Sequence, residues 1–252
     1  MNSVKERVSV VGAAPAQSRD EQSAARAVRR MFSDIAPRYD LLNHLLSFNI
    51  DRTWWWRTAR TFSHILSRDG VQVLDLCCGT GDMTLALRRR VRGRNPRIVG
   101  VDFAHPMLVR ATAKSSGDGV SWAEADALNL PLPENSFDLV TSAFGFRNLA
   151  NYDAGLSEIH RVLRSGGEVG ILDFGEPSGL VGRLYRVYFK RVLPAIGTVI
   201  SGVKGPYAYL PASVERFPAP DEMLTRMQKA GFHDVSWTPY TFGVAGLYRG
   251  RK

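Results

Sequence analysis

Cysteine is scarce in this sequence of 252 residues, and histidine is barely more frequent. The two cysteines, Cys77 and Cys78, are neighbours in the chain. Zinc sites use separated cysteine pairs, and a disulfide between adjacent residues requires a strained turn. We therefore interpret both as small, buried, apolar side chains. The histidines also lack the spacing of metal ligands, so the sequence predicts no metal site. They are interpreted as structural or exposed, and they include His44, His64, His105 and His160.

Long apolar runs and a leader peptide are missing as well. No stretch approaches the roughly 20 apolar residues that span a bilayer, and the polar N-terminus lacks the apolar core of a signal peptide. We expect a cytoplasmic protein with peripheral contact at the inner face of the membrane. The net charge of +9 is compatible with nucleic acid, an anionic membrane surface or a soluble basic enzyme. Because no basic low-complexity tail is present, a dedicated nucleic-acid arm is not expected.

The first part of the chain predicts helices only. Residues 1–20 are small, polar and aperiodic, which predicts a disordered tail. The N-terminal helical region, 21–68, opens with a helix from Glu21 to Ile35. A short apolar helix over 41–48 follows. A third helix is predicted from Asp51, its expected N-cap, to about Ile65.

From residue 69 onward, short apolar strands alternate with helices. This rhythm predicts an α/β domain over 69–252 with a doubly wound, mostly parallel sheet of seven strands. An apolar, basic and aromatic segment over 177–213 interrupts it, and we predict a helical lid inserted after strand five. The predicted strands are 71–76, 97–102, 120–124, 137–142 and 167–174, followed by a hairpin of 233–238 and 241–248.

The turn after the first predicted strand carries the strongest ligand signal. Gly79 and Gly81 follow the strand end at Asp75, glycines let a ligand approach the backbone, and open α/β sheets bind ligands at this end of their strands. Dinucleotide loops begin in the same way. Here the third glycine is replaced by Thr84, and Asp82 would repel a pyrophosphate. S-adenosylmethionine has no phosphate and carries an ammonium and a sulfonium, so the acidic loop favours it over NAD.

Two further carboxylates follow predicted strands. Asp102 ends the second strand, where it can accept two hydrogen bonds from a ribose diol; the alternative is an ordinary capping residue. Asp126 follows the third strand and can accept a hydrogen bond from the adenine amino group; the alternative is a turn residue.

The order of these motifs resembles the class I methyltransferases, and further motifs resemble the quinone-biosynthesis C-methyltransferases. The resemblance covers about residues 27–252. Its motifs are MFSDIAPRYD at 31–40, Asn43, Ser47–Phe48, Arg52–Trp54, FGFRN at 144–148, RVLRSGG at 161–167 and VLPAIG at 192–197.

The resemblance implies methylation of a ring carbon of demethylmenaquinol, of a ubiquinol precursor, or of both. It implies cofactor contacts at Thr80, Asp102 and the pair Asp126–Ala127. One position departs from the family, because a serine usually precedes FGxRN and Ala143 stands here. The side-chain contact is therefore either lost or not essential, and a backbone contact is compatible with both alternatives. The full predicted cofactor-binding set is Asp75, Gly79, Thr80, Gly81, Asp102, Asp126 and Ala127.

Methylation of a ring carbon makes clear demands on the catalytic residues. The cofactor supplies the electrophile, so no metal is required. The ring becomes nucleophilic when a quinol hydroxyl loses its proton, and the site must orient and stabilise that anion. Free arginine is a poor base, so we predict that Arg147 stabilises the quinolate or orients a water. Asn148 is predicted to bond the same oxygen and Asp82 to complete a polar relay. The alternatives are a surface salt bridge for Arg147, a turn residue for Asn148 and the first helical turn for Asp82.

The predicted lid gives a prenylated acceptor a place to bind. Its aromatic and aliphatic side chains are expected to line a tunnel for the prenyl tail, and its basic side chains to meet anionic headgroups. The alternative is an amphipathic helix that packs on the sheet. The expected partners are thus a prenylated quinol and an anionic membrane. The oligomeric state is open, with a homodimer among the options. The side chains concerned are Tyr185, Tyr188, Phe189 and Ile196 for the tunnel, and Arg183, Arg186, Lys190, Arg191 and Lys204 for the headgroups.

Two other classes of protein compete with this interpretation. A nucleic-acid methyltransferase that modifies amino groups typically carries Asn/Asp-Pro-Pro-aromatic after strand four, where this chain has FGFRN. One that modifies cytosine carbon needs a cysteine nucleophile, whereas both cysteines here lie in the cofactor loop. We find no base-reading motif and expect no nucleic-acid partner. A non-enzymatic membrane-surface protein on this fold would bind the cofactor weakly. Between the two ring types we favour demethylmenaquinol, the more general activity of the family.

Overall fold

We analysed a computed structural model of the chain. It describes residues 11–15, 18–40, 44, 47, 49–115, 117, 119–177, 179, 182 and 206–252. The short helix predicted at 41–48 and most of the predicted lid therefore lie outside the described residues.

The first helix, α1 (Glu21–Ile35), has the predicted bounds. Its start is fixed by a capping box, in which the Ser23 amide donates to Asp20 Oδ1 at 2.7 Å and the Asp20 amide donates to Ser23 Oγ at 3.1 Å. Pro37 then falls in a short 3₁₀ turn, Ala36–Arg38, because its ring cannot continue an α-helix.

The predicted third helix is wrong at both ends. The helix α2 (Ile50–Thr61) begins after its N-cap Asn49, which has a left-handed φ of 58°, so Asp51 lies in the first turn. The chain breaks at Phe62, where φ is −94° and ψ is 17°, and a short helix α3 (Ser63–Leu66) follows. Phe62 is fully buried, so packing on the sheet ends the helix earlier than its composition indicates.

The seven-stranded, mostly parallel sheet is confirmed. The strand order is β3-β2-β1-β4-β5-β7-β6, and β7 runs antiparallel between β5 and β6. The strands are β1 (Gln72–Leu76), β2 (Arg97–Asp102), β3 (Val120–Glu124), β4 (Phe137–Ala143), β5 (Leu163–Phe174), β6 (His233–Tyr240) and β7 (Ala245–Arg251). The remaining helices are α4 (Asp82–Arg90), α5 (His105–Lys114), α6 (Tyr152–Val162), α7 (Pro206–Arg216) and α8 (Pro220–Lys229).

Alternate side chains of the central strands pack in two separate cores. Leu74 and Leu76 belong to the core that α6 and α8 cover, whereas Val73 belongs to the core that α2, α3 and α4 cover. Side chains of a strand point alternately to opposite faces. Helices on both faces therefore explain why these strands are apolar throughout.

The largest differences from the predicted strands are at the starts of the fifth and the last strand, and the other strand boundaries agree within three residues. The fifth strand starts at Leu163 rather than residue 167, and its register against β4 shifts between Phe137 and Leu139. The last strand starts at Ala245 rather than Thr241. Thr241 and Phe242 have φ of 46° and 58°, which a strand cannot adopt, so they form the turn of the hairpin instead.

Part of the segment predicted to be a disordered tail has defined contacts, at Gly12 and Ala13 as well as at the cap residue Asp20. The amides of Gly12 and Ala13 donate to the carbonyls of Ala150 and Leu149, at 3.0 and 2.7 Å, and Arg216 Nε donates to the Gly12 carbonyl at 2.6 Å. These backbone bonds compensate for the polar composition that predicts disorder. In the part of the chain that the structure describes, no helix combines the length and apolar character needed to cross a membrane.

Candidate active site

The predicted site residues surround one cavity of about 350 Å³ at the carboxyl ends of the central strands. Its walls come from α1, the start of α2, the loops after β1 to β4, and the turn between β6 and β7. Of the predicted catalytic and cofactor-binding residues, all except Gly81 contribute to the lining. The sequence pattern therefore located the cavity correctly.

The loop after β1 turns sharply under the cavity. Cys77, Gly79 and Gly81 have φ of 54°, 56° and 86°, a region that favours glycine. A Cβ on Gly79 would meet only Tyr39, at 3.8 Å, whereas a Cβ on Gly81 would lie 2.5 Å from Trp122 Cη2. Gly79 thus leaves room on the cavity side, while Gly81, predicted to bind the cofactor, is required for packing against Trp122.

Asp102 has the geometry expected of a ribose-binding carboxylate. It is 7% exposed, and its two oxygens accept one hydrogen bond each, from the amide of Gly79 at 2.9 Å and from the amide of Ala104 at 2.8 Å. Burial raises the pKa of Asp102, and these backbone hydrogen bonds oppose that shift. Each oxygen keeps a second lone pair for a ligand.

Asp75 lies deeper than the sequence indicates. It is completely buried, and its carboxylate accepts hydrogen bonds from Thr84 Oγ1 at 2.5 Å and from Thr141 Oγ1 at 2.7 Å. Burial raises its pKa to about 6. Asp75 therefore joins β1 to β4 and α4 beneath the loop, and its direct contact with the cofactor stays a prediction.

Asp126 is a turn residue that also lines the cavity, and its contact with adenine stays a prediction. Its Oδ1 accepts a hydrogen bond from the Leu128 amide at 2.9 Å and its carbonyl accepts one from the Asn129 amide at 3.1 Å, so it is a turn residue. Asp126 and the buried Ala127 also line the cavity, which is what a contact with adenine requires.

A polar network that the sequence did not reveal connects the cofactor loop to α5. Lys114 Nζ lies 2.9 Å from Thr80 Oγ1, 3.0 Å from Asp82 Oδ1 and 2.8 Å from Asp40 Oδ2, and Thr80 Oγ1 donates to Asp40 Oδ1 at 2.5 Å. Two carboxylates and one ammonium leave this end of the cavity negative. Asp82 belongs to this network, and its catalytic role stays a prediction. The sequence offered one indication of this network, which is that Asp40 belongs to the motif RYD at 38–40.

Arg147 is held in a buried ion pair. Its Nη1 lies 2.9 Å from Asp173 Oδ1 and its amide donates to Asp173 Oδ2 at 3.1 Å, and the two side chains are 7% and 0% exposed. Nη1 also donates to the Phe144 carbonyl. The alternative of a surface salt bridge is therefore wrong. Nothing in the sequence pattern singled out Asp173, which lies 26 residues away at the end of β5.

Three buried polar atoms around this ion pair lack a hydrogen-bond partner among the described residues: Arg147 Nε, Asn148 Oδ1 and the hydroxyl of Tyr209. Burial raises the pKa of Tyr209 to about 12, so it is a neutral donor. Buried polar groups are almost always paired in proteins. Unpaired atoms around one cavity therefore indicate polar groups of a ligand.

The loop after β4 touches the loop after β1, and glycine makes this possible. A Cβ on Gly145 would lie 2.4 Å from Cys77 Cβ, so FGFRN requires glycine at its second position. Burial raises the pKa of both Cys77 and Cys78 well above the ordinary value, and both are free thiols. This supports their interpretation as small apolar side chains.

Aromatic side chains form the wall beside Arg147. The ring centroids of Phe144 and Phe174 are 4.6 Å apart, and those of Trp54 and Phe144 are 5.6 Å apart. Trp54 Nε1 donates to Thr241 Oγ1 at 2.8 Å, which holds α2 against the hairpin turn. The result is an apolar compartment next to the acidic cofactor loop. Among the described residues, no three His, Cys, Asp or Glu side chains are grouped as metal ligands.

Several solved structures with this fold are described as methyltransferases. A protein from Thermotoga maritima, described as a SAM-dependent methyltransferase and possible histamine N-methyltransferase, superposes with a TM-score of 0.60 at 20% identity, over 89% of this chain and 99% of that one. A structure described as a cyclase superposes with a TM-score of 0.58 at 18% identity, over 78% of this chain and 81% of that one. These likenesses show the fold, which is that of the class I methyltransferases.

The family follows from sequence. Residues 17–252 match the ubiE/COQ5 methyltransferase family, and the chain belongs to it. A demethylmenaquinone methyltransferase from Thermus thermophilus is 50% identical over 225 residues, which is 88% of this chain and 100% of that protein. The ubiquinone/menaquinone biosynthesis C-methyltransferase UbiE from Geobacter sulfurreducens is 43% identical over 230 residues, 89% of this chain and 88% of that protein.

The residues present fit S-adenosylmethionine. Asp102 keeps free lone pairs for a ribose diol. The cofactor loop is lined by carboxylates, and the lysine beside it is already bound by Asp82 and Asp40. A cationic ligand without phosphate suits this set of groups, whereas a dinucleotide does not.

Proposed function

We propose that this enzyme methylates a ring carbon of demethylmenaquinol, the reduced form of demethylmenaquinone. The observation that carries the proposal is the 50% identity to the Thermus thermophilus demethylmenaquinone methyltransferase over that protein's whole length. The aromatic compartment beside the cofactor loop supports an apolar ring as the methyl acceptor.

S-adenosylmethionine, when bound, supplies a methyl group on a sulfonium. The task of the protein is to hold donor and acceptor in line, which contributes much of the rate in such reactions. Asp102 would accept hydrogen bonds from the ribose diol of the cofactor. Asp126 and Ala127 would hold the adenine, and the acidic loop at Asp82 would favour the cationic part of the cofactor.

The unpaired polar atoms then receive the acceptor ring. Asp173 fixes the Arg147 guanidinium, and the unpaired Nε donates to the oxygen that becomes negative as its proton leaves. The Tyr209 hydroxyl donates to the same ring, and Asn148 Oδ1 accepts from the second hydroxyl. Donors fixed before the reaction stabilise the developing charge without reorganisation.

A benzoquinol precursor of ubiquinone is a second candidate substrate. The Geobacter sulfurreducens relative, whose name covers both quinones, favours it. The ring compartment has the same polar groups for either substrate, so a direct comparison of rates decides between them.

The decisive experiment is methyl transfer from labelled S-adenosylmethionine to three acceptors measured side by side. They are reduced demethylmenaquinone, the demethylated benzoquinol and tRNA, with oxidised demethylmenaquinone as the matched control. We expect transfer to the reduced naphthoquinone, none to its oxidised form and none to tRNA. Transfer to tRNA alone would overturn the proposal. A higher kcat/KM for the benzoquinol than for reduced demethylmenaquinone would make the benzoquinol the preferred substrate.

We further propose that the enzyme is cytoplasmic and binds the inner face of the membrane peripherally. The net charge of +9 favours anionic lipid. Phe242 in the hairpin turn is 82% exposed and follows Thr241, which lines the cavity. An exposed aromatic side chain beside the substrate cavity suits contact with the membrane that holds a prenylated quinol.

Sedimentation with lipid vesicles tests this proposal. We expect binding to vesicles with anionic lipid, loss of binding at high salt, and severalfold weaker binding for Phe242→Ser. Val109→Ser is the control, because Val109 is exposed on α5 and does not line the cavity. Equal binding of all three proteins to neutral and anionic vesicles would contradict it.

A further inference from the structure

A histidine–carboxylate pair borders the cavity and is not used by the mechanism above. His44 Nδ1 lies 2.9 Å from Asp51 Oδ2, and the side chains are 25% and 5% exposed. Asp51 lines the cavity. His44 packs edge-on against Trp55, with ring centroids 5.9 Å apart. The pair therefore connects the inside of the cavity to solvent.

The local backbone fixes this pair. The His44 carbonyl accepts a hydrogen bond from the Asn49 amide at 2.8 Å and one from Ser47 Oγ at 3.3 Å. The positive φ of Asn49 starts α2 in the direction that buries Asp51 in its first turn. The other oxygen of Asp51 accepts from the Arg52 amide at 2.9 Å.

The other carboxylates that line the described cavity already have different partners. Asp75 accepts from two threonines, and Asp82 is bound by a lysine. Asp102 accepts from two backbone amides, and Asp126 closes a turn. Asp51 is the one that meets an imidazole, a group that gives and takes protons near neutral pH.

Among the described residues, the polar groups of the acceptor compartment are not placed to accept a proton, since Asp173 is already bound by the side chain and the amide of Arg147. Arg147 is a cation bound to Asp173, and burial raises the pKa of Tyr209 to about 12, which keeps its phenol protonated. Removal of the ring hydroxyl proton therefore requires another group at this cavity.

We propose that Asp51 accepts the hydroxyl proton of the methyl acceptor and that His44 passes it to water. This inference rests on the proposed function, since it needs an acceptor with a ring hydroxyl. As the O–H bond breaks, the ring carbon forms the new C–C bond with its own electron pair. The pair of the broken methyl–sulfur bond stays on sulfur. The hydrogen on the methylated carbon then leaves as a proton and the ring oxygen regains one, so each turnover releases one proton.

The test is the pH profile of kcat for Asp51→Asn and His44→Gln, with cofactor affinity measured by calorimetry. General-base catalysis typically contributes a factor of 10² to 10⁴, so we expect Asp51→Asn to lower kcat by about 10² or more near neutral pH. The deficit should shrink as pH rises, because the free hydroxyl then ionises without help. His44→Gln should lower kcat about tenfold, a smaller loss than in Asp51→Asn because the carboxylate that accepts the proton is still present. Cofactor affinity should stay within about twofold in both.

A more acidic acceptor separates proton removal from a structural role. With a ring-fluorinated demethylmenaquinol, the loss of kcat in Asp51→Asn relative to wild type should be smaller. The reason is that the hydroxyl of the fluorinated acceptor ionises more easily without a base. The control is His105→Gln, which breaks a similar pair with Glu124 at 3.1 Å. This variant should change neither the pH profile of kcat nor the ratio of the rates with the two acceptors.

A reversed pair keeps the test decisive if a single variant folds poorly. The double variant His44→Asp/Asp51→His retains a proton-carrying pair, and we expect it to recover at least about tenfold of the rate lost by Asp51→Asn. Rates near wild type in the single variants would overturn the inference. So would an equal deficit at every pH and with both acceptors, or a reversed pair no better than the single variants. A wild-type enzyme that methylates neither quinol would instead refute the proposed function.

Discussion

The two ends of the cavity differ in how their polar atoms are satisfied. At the cofactor end, Asp102 is held by backbone amides and Asp82 by Lys114. At the acceptor end, Arg147 Nε and Asn148 Oδ1 are buried without partners among the described residues. The protein alone thus satisfies the polar atoms named at the cofactor end, whereas the acceptor end keeps buried polar atoms to which the proposed acceptor would bind. Of the five variants below, two change the acceptor end and two change the cofactor end. The fifth changes Asp75, which lies beneath the cavity.

The largest effect is expected at the acceptor end, from Asp173→Ala. The change leaves the Arg147 guanidinium buried without its partner, and breaking a buried pair in this way typically costs about 3–5 kcal/mol. Chemical denaturation should show a loss of this size in the free energy of unfolding. Asp69→Ala removes an exposed partner of Arg94 and should cost far less. A similar small loss in both variants would mean that the buried pair does not hold this end together.

Asp75, which lies under the junction of the two ends, should make stability depend on pH. Its pKa in the folded protein is raised from 3.8 to about 6, so the folded state favours the protonated carboxyl. This contribution is fully present below pH 3.8 and is lost as pH rises to about 6. The shift of roughly two units corresponds to about 3 kcal/mol. Asp75→Asn should therefore gain stability relative to wild type by about this amount between pH 3.5 and 7. A pH-independent difference would contradict the assignment.

At the cofactor end, Asp102→Ala should weaken S-adenosylmethionine binding about tenfold to a hundredfold, which is about 1.4–2.7 kcal/mol. The reason is the loss of a charged acceptor for the ribose diol. Isothermal calorimetry measures it directly. Asp102→Asn keeps one acceptor oxygen and should lose less. If affinity is unchanged in Asp102→Ala, the ribose assignment fails.

Arg147→Lys should affect turnover and leave cofactor affinity alone, which would sharpen the separation of the two ends. Lysine keeps the charge opposite Asp173 but lacks Nε, so the developing oxyanion loses one donor. We expect kcat to fall by roughly tenfold or more, in keeping with the loss of one oxyanion donor, with cofactor Kd within about twofold. A fall in cofactor affinity to match kcat would place Arg147 at the wrong end of the cavity.

The smallest change is expected from Ala143→Ser, at the end of β4. Ala143 lines the cavity at the position where the family resemblance predicts serine. A new hydroxyl contact would contribute about 0.5–1.5 kcal/mol, so cofactor affinity should rise severalfold by calorimetry. No change would mean that the position acts through its backbone.

Much of the fold follows from local sequence patterns. The apolar runs of β2 and β3 and the capping residue Asp20 are local signals, and their elements have the predicted bounds. The errors occur where tertiary contacts prevail over local preference. The burial of Phe62 ends α2 early, and Thr241 leaves the strand because the hairpin needs positive φ.

The site was predictable where motifs are contiguous and unpredictable where partners are distant. The loop after β1 and FGFRN located the cavity. Lys114 and Asp173 were missed because each becomes a site residue only when α5 or β5 packs beside the loop. His44 and Asp51 were treated separately, since a turn with positive φ at Asn49 brings them together.

Trp122 restricts which residues can replace two glycines of the chain. Its ring occupies the space where a Cβ on Gly81 or on Gly100 would lie, 2.5 and 2.3 Å away, and its indole nitrogen donates to Ser115 at 2.8 Å. A larger residue at either glycine is therefore incompatible with tryptophan at 122. In relatives, the residues at 100 and 122 should change together, and an alanine at 100 should be tolerated once the side chain at 122 is small, whereas Gly81 should stay glycine because its φ of 86° favours it in any case.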